Sequence, residues 1–357
     1  MPRWIEAHVG PIYSGRPGSC NLGGPGAEAP AEQEPRHLVR CRLGVEAIMG
    51  TDQVEIRECA SEADEQVSLD LHNAVWPAQA VTMAEVRSFK SSTRANADFL
   101  VVLGGAAVGS AFVAILPQRL DRAFVLTTVL ADRRRLGAGT TLYEAVSRWA
   151  RDRSLDAMLA PTEEDDPESL AFAERRGFVE IERYPRMVLD LASIEKPLVR
   201  PPAGIEITSW AGRPELAQGI YEVAAEAYAD VPGAEQDEME PFEDWLAHDM
   251  SGSGDRPEAT FVALAGDEVV GYAKFSLTQA RPTVASHDMT GVKRAWRGRG
   301  IARALKCAEI SWAMQSGFQR LETSNEVRNE PIRRLNAQLG YRTTPGRVLL
   351  QGPLAAS

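Results

Sequence analysis

The chain says similar things twice, and this constrains its fold more than any other feature. "FLVVLGGAAVGSAF", beginning at Phe99, aligns without gaps with "FVALAGDEVVGYAK", beginning at Phe261, at an offset of 162 residues. Both read as two apolar strands around a glycine-containing hairpin turn. Further on, "RRLGAGTTLYEAVSRWA" from Arg134 matches "RGRGIARALKCAEISWA" from Arg297, and "RRGFVE" matches "QLGYRT" with Gly177 opposite Gly340, now at an offset of 163. One supersecondary unit is used twice. Each copy opens with a strand (Val54 to Glu58; Ile205 to Trp210) and continues through helical patterns, the hairpin, a strand, a helix, a strand ("LDAMLAP"; "FQRLETS"), a helix and terminal strands. That is a mixed α/β (α+β) unit. "ASIEKPLVRPPAG", residues 192–204, has prolines and no apolar period and reads as a linker. A chain of 357 residues suits two domains, here 49–191 and 205–357. The opening strands lie 151 apart, so the second copy carries 11 extra residues in its helical region before the hairpin.

Residues 1–48 are rich in Gly, Pro, Ala and Glu without an apolar period, and are expected to be a disordered tail. An upstream start site is the other reading, since Met49 directly precedes the first convincing strand. A net charge of -11 argues against a general nucleic-acid binder, which needs a clustered basic surface. Cys20, Cys41, Cys59 and Cys307 stand far apart with no histidines at ligand spacing, so neither a disulfide framework nor a metal site follows. No apolar stretch nears the ~20 residues of a membrane span, and no signal-peptide core stands at the N-terminus. The protein reads as cytoplasmic, with no membrane partner.

The chemistry concentrates in "TGVKRAWRGRGIARALKCAEISWA", residues 290–313. Ile301, Leu305, Ala308 and Trp312 fall on one helical stripe, with Arg303, Lys306, Glu309 and Gln315 on the other face. Gly298 and Gly300 therefore sit at the helix N-terminus, where unpartnered N–H groups and the positive end of the dipole suit an anion. An exposed basic turn is the competing reading. No GK[ST] follows, which excludes a P-loop. A dinucleotide fingerprint would want a third glycine near Arg303, although Glu322 meets its acidic requirement.

Strand, Arg/Gln-x-x-Gly-x-Gly/Ala, helix, and "RGF" or "LGY" after a further helix, with 43 residues from Arg134 to Gly177 and again from Arg297 to Gly340, resemble the GNAT superfamily of N-acetyltransferases in tandem. The resemblance covers nearly everything but the tail and linker. It implies two GNAT-type domains, each a mixed, mostly antiparallel sheet with flanking helices, and acetyl-CoA as the acetyl donor. It places the thioester carbonyl against a backbone N–H at Gly291 or Val292, the pantetheine arm along Val292, Lys293 and Arg294, and the pyrophosphate on Arg297, Gly298, Arg299, Gly300, Ile301 and Ala302. Asn329 fits a position that contacts the pantetheine arm, with helix capping as its alternative. The first half keeps Arg134, Gly137 and Gly139, and cofactor binding there stays open.

Direct transfer to an amine needs a neutral nucleophile, an oxyanion donor and an acid for the thiolate. The resemblance puts a base ten residues before the motif arginine, which is His287, beside Asp288, in the second half and Phe124 in the first. The usual tyrosine acid is replaced by Asn336 and Ala173. These differences favour an active C-terminal half and a degenerate N-terminal one. "EQDEMEPFEDWLAHD", Glu235 to Asp249, holds seven acids and no Lys or Arg, so a cationic small-molecule amine is the expected acceptor, with a solvated acidic face as the plainer reading. Mycothiol synthases share the tandem organisation with an active second half. A non-catalytic acyl-CoA-binding module and a nucleotide-dependent oxidoreductase are the rival classes. The acceptor's identity and the oligomeric state are not legible.

Overall fold

The computed structural model describes residues 54–117, 119–231 and 239–356. The expected tail, Cys20 and Cys41, and the first part of the acidic segment lie outside the described residues. The first half runs β1 (Val54–Glu58), α1 (Glu62–Val75), α2 (Met83–Ser92), β2 (Ala95–Leu103), β3 (Ala106–Leu116), β4 (Arg119–Val129), α3 (Ala138–Arg151), β5 (Ala157–Glu163), α4 (Pro167–Glu174) and β6 (Val179–Asp190). The second repeats it as β7 (Glu206–Ser209), α5 (Ala217–Tyr228), α6 (Phe242–Asp249), β8 (Thr260–Ala265), β9 (Glu268–Leu277), β10 (Val284–Val292), α7 (Ile301–Gln315), β11 (Arg320–Ser324), α8 (Glu330–Gln338) and β12 (Arg342–Pro353).

The repeated hairpins turn as their sequences require. Leu103 pairs with Ala106 and Ala265 with Glu268, so each loop has two residues, and both hairpins carry a register shift at matching places, Val101/Val102 and Ala263/Leu264. Side chains alternate across the sheet. On β4, Phe124 and Leu126 face α1 and α2 with Phe89, while Ala123 and Val125 pack under α3 against Leu142 and Val146. Thr82 starts α2 with a capping box to Glu85, whose carboxylate also accepts from the Thr278 hydroxyl of the second half at 2.9 Å.

All strands form one 12-stranded sheet in the order β1-β2-β3-β4-β5-β12-β6-β11-β10-β9-β8-β7. Pairing is antiparallel except at β4–β5 and β10–β11. The sheet does not divide at the linker. The last strand of each half crosses over: β12 hydrogen-bonds β5, with Arg347 opposite Glu163 and Pro353 opposite Ala157, while β6 lies along β11, with Arg186 opposite Ser324 and Asp190 opposite Arg320. The cores follow the strands. Leu349 of β12 is buried with Leu69, Phe89 and Phe124 of the first half, and Met187 and Leu189 of β6 are buried with Phe275, Ile310 and Leu321 of the second. Each half thus lacks a central strand until the other supplies it.

Candidate active site

Within each half, the two parallel strands touch only briefly. β4 and β5 pair at Ala123↔Met158 and Phe124↔Leu159, and β10 and β11 from Val284↔Arg320 to Ser286↔Glu322. Beyond these points the strands part, so the facing peptide groups of each pair lose their sheet partners across a V-shaped gap, where they need others.

A short 3-10 turn then leads from β4 or β10 into the loop that opens α3 or α7, and the two loops have nearly the same backbone. Arg134 and Arg297 have φ/ψ of -69/161 and -68/162. Gly137 and Gly300 follow at φ 93 and 90 as the N-caps. A side chain at either would be strained. The first amides of each helix have no carbonyl a turn earlier to receive them, and they lie at the positive end of the dipole. The motif arginines bend back toward the chain: Arg134 Nε donates to Val129 O at 3.5 Å, and Arg297 Nε to Val292 O at 2.8 Å. Acids complete the clamps, Asp166 and Glu168 on Arg134 and Asp230 on Arg297. These side chains fix the loop's path, and the loop offers backbone N–H groups.

The two gaps differ in what fills them. In the first half a cavity of about 560 Å³ follows the gap from the Gly137 loop, past Thr127, Tyr143 and Val146, to Thr162 and Glu163. Trp76, at the end of α1, also lines it. Since α1 and α3 cover opposite faces of the sheet, the groove passes through it. Arg135, Arg175 and Arg176 stand at its wall. Arg176 lies 3.5 Å over the Phe172 ring and donates to Thr140 Oγ1 at 2.8 Å. Arg135 holds a left-handed backbone, φ 67, where the second loop has Gly298 at φ 74. At the inner end, burial pushes the Glu163 carboxyl above its ordinary range, against the opposing charges of Arg186 and Arg347.

In the second half, the positions of Tyr143 and Val146 are taken by Lys306 and Glu309. The sequence reading put both on the polar outer face of the helix; they are instead 1% and 0% exposed. Burial pulls Lys306 down to about 8, with Glu309 opposing. His287 joins them. Its Nδ1 lies 3.0 Å from Glu309 Oε2, out of line for a hydrogen bond, and its Nε2 is hydrogen-bonded to the Tyr341 hydroxyl. Burial, then Lys306, holds the imidazole below its ordinary pKa. Tyr341 thus bridges from the start of β12 to β10 just past the last paired residues. Glu309 Oε1 and Oε2 are buried without hydrogen-bond partners, as are Asn336 Oδ1 and Thr290 Oγ1 elsewhere in this half.

Asp288 is the extra residue of a β-bulge and lies 2.6 Å from Lys274 Nζ, a buried ammonium also within 3.4 Å of Asp249 and 3.3 Å of Asp255. Asn336 is buried and donates to Asn325 Oδ1 at 3.1 Å. Gly291 is where α5 crosses the sheet: a Cβ there would come within 2.9 Å of the Ala227 methyl. Val292 and Ile301 are core residues, with Ala302 packed beside them. Lys293 pairs with Glu222 of α5 and Glu268 of β9, and Arg294 with Asp230 just past α5, so acids from three places neutralise much of the basic loop. Arg299 stacks 4.7 Å from the Trp296 ring and donates to Ala295 O. Asn329 stands at the N-cap of α8 without a side-chain capping bond. Gly139 leaves room for Phe172, which a Cβ would meet at 3.1 Å. In the acidic segment, Glu240 and Asp249 turn inward, Glu240 to His248 at 3.2 Å.

The acetyltransferase (GNAT) family model matches the chain at residues 65–178 and again at 217–341. The chain belongs to the GNAT family. Its two GNAT units share one sheet through their exchanged terminal strands. A GCN5-related N-acetyltransferase from Sphaerobacter thermophilus is similar at TM-score 0.66 and 23% identity, covering 85% of this chain and 96% of that one. A tandem GNAT protein from the clavulanic acid biosynthesis pathway gives TM-score 0.67 and 24% identity over 85% and 100%. A GNAT-family acetyltransferase from Colwellia psychrerythraea gives 0.55 and 14% over 84% and 100%. These likenesses concern the fold. No curated protein matches the chain. Among the described residues no helix is long and apolar enough to cross a membrane, and no cluster of His, Cys, Asp or Glu could hold a metal ion.

Sequence reasoning missed the plug in the second gap, although its signal was present. Aligning the repeats sets Lys306 and Glu309 opposite Tyr143 and Val146, an exchange of groove-lining apolar and aromatic residues for charges.

Proposed function

We propose that this GNAT protein is an acyl-CoA-dependent N-acyltransferase, with acetyl-CoA as donor and a primary amine of a small molecule as acceptor, and that the donor lies in the N-terminal half. The single observation that carries this reading is the arginine-walled groove of about 560 Å³ running from the Gly137 loop through the β4/β5 gap. A donor of this class has a diphosphate at one end, a long diamide arm and a thioester at the other. The loop amides and Arg135, Arg175 and Arg176 suit the diphosphate, and the unpaired edges of β4 and β5 suit amides. The second half's gap suits the arm less well, because buried Lys306 and Glu309 occupy its wall and Tyr341 crosses it. This reverses the expectation that the C-terminal half is the active one.

The chemistry is direct. The neutral amine attacks the thioester carbonyl carbon, the C–N bond forms, and the C–S bond breaks with its electron pair passing to sulfur. The proton lost from nitrogen leaves to water, and the thiolate takes one up. A backbone N–H at the splay of β4 would hold the oxyanion. An alkylamine of pKa ~10.4 is only about one part in a thousand neutral near pH 7, so the site must favour the neutral form.

One observation favours a second reading, in which the C-terminal half does the chemistry. His287 is buried there with its Nδ1 3.0 Å from Glu309 Oε2 and its Nε2 on the Tyr341 hydroxyl, and Glu309 Oε1 is buried without a hydrogen-bond partner. The test for the primary reading is thiol release from acetyl-CoA with a panel of amines. The R135A/R176A double variant is expected to raise KM for acetyl-CoA roughly tenfold or more. Acetyl-CoA binding without thiol release from any amine would leave a binding module instead.

A further inference from the structure

A second cavity, of about 160 Å³, lies where the two halves meet. Its walls come from the α1–α2 connection of one half and from β10 and β11 of the other, with Arg186 and Arg347 on the exchanged strands β6 and β12. The two cavities adjoin. Residues 75 and 76 line the groove, and 78–81, next along the chain, line the junction cavity. Glu163, at the inner end of the groove, is hydrogen-bonded by Gln79 and, at 3.0 Å to both oxygens, by Arg186. Arg347, buried, donates to Gln79 Oε1 at 3.5 Å. Gln79 and the Glu163–Arg186 pair stand between the two cavities, and direct transfer requires the acceptor nitrogen to reach past them to the thioester.

The charges of this cavity are mixed. Arg186, Arg281 and Arg347 face it together with Glu85, Asp288 and Glu322. Arg281 gives one N–H to Glu322 Oε1 at 2.7 Å, of the five that a guanidinium carries. A plain alkylammonium would engage the acids of this cavity and leave its guanidinium groups without an anionic partner from the ligand. An amine that also carries an acid would bring its own counter-charge, and bidentate arginine pairing suits a carboxylate.

We propose that the junction cavity is the acceptor site, built from both halves, and that the acceptor is a small amino carboxylate held through Arg281. This rests on the acyl-transfer reading above. It narrows the cationic acceptor expected from the acidic segment to one with a paired anion.

The test uses the full chain with amines matched to their carboxylated parents: tyramine against tyrosine, putrescine against ornithine, agmatine against arginine. Thiol release is followed, and each compound is also titrated calorimetrically against protein saturated with coenzyme A, so that a preference is read even without turnover. The carboxylated member is expected to show roughly ten- to hundredfold higher kcat/KM or affinity. R281A should erase that preference by raising KM for the amino carboxylate alone, and R281K should restore part of it, since the charge remains and the fork is lost. Unfolding midpoints of both variants identify any that fail to fold. Equal or better use of the plain amines overturns the proposal, as does a preference that survives both variants. Failure of acetyl-CoA to bind would instead sink the donor groove, a separate result.

Discussion

Replacing Leu349 with alanine removes a side chain that belongs by sequence to the last strand of the second half and by packing to the core of the first. Leu349 is 1% exposed and buried with Leu69, Phe89, Phe124 and Leu159. Among such large, fixed neighbours the site cannot collapse, and a Leu→Ala change costs about 2–5 kcal/mol. At roughly 2 °C per kcal/mol for units of this size, the midpoint should fall on the order of 4–10 °C. Leu189→Ala, on the reciprocal strand against Phe275 and Leu321, should do the same. Because each strand completes the other half's sheet, thermal unfolding followed by circular dichroism and by tryptophan fluorescence should show one coincident transition, lowered by either substitution. Two separate transitions, with Leu349→Ala moving only the one that reports the second half, would refute the exchange. For the same reason, residues 49–191 and 205–357 expressed apart should not fold alone, and should recover structure when mixed.

Two further outcomes follow from single residues. Arg135→Gly relieves a left-handed backbone that strains a side chain by about 1–2 kcal/mol, less ~0.4–1 of added freedom in the unfolded chain; it should leave stability equal or higher in denaturant titration while weakening acetyl-CoA binding, because a groove cation is lost. Lys306, pulled down to about 8 by burial, binds fewer protons folded than unfolded between that value and its ordinary 10.5, so stability should rise with pH across that window and the burden of the buried charge be fully present below it. Lys306→Met should flatten that rise and stabilise the protein at pH 7; a profile unchanged by the substitution would mean the ammonium is solvated.

Much of the architecture could be read from the residues. Glycine pairs at fixed offsets set both hairpins, and the apolar stripe through Leu142 or Leu305 set the helix that each loop opens. Gly137 and Gly300 stand at positive φ as an N-terminal anion loop requires. The partner of each last strand was not legible, because the alternation in "RMVLD" or "RVLLQ" says which residues face inward and not which neighbour they meet. Burial of Lys306 and Glu309 escaped for a similar reason. Helical period assigns polar residues to a face, and only the repeat comparison says that this face borders a gap. The basic residues of the second loop advertised an anion site, yet acids distant in sequence claim several of them, Glu222 and Glu268 on Lys293 and Asp230 on Arg294 and Arg297.

Calorimetric titration of the full chain with acetyl-CoA, beside Gly137→Trp and Gly300→Trp variants checked for an intact unfolding transition, bears most directly on where the donor lies. One site, lost in Gly137→Trp and kept in Gly300→Trp, is the predicted result. Binding that survives Gly137→Trp and disappears with Gly300→Trp would contradict it and return the chemistry to the half that holds His287.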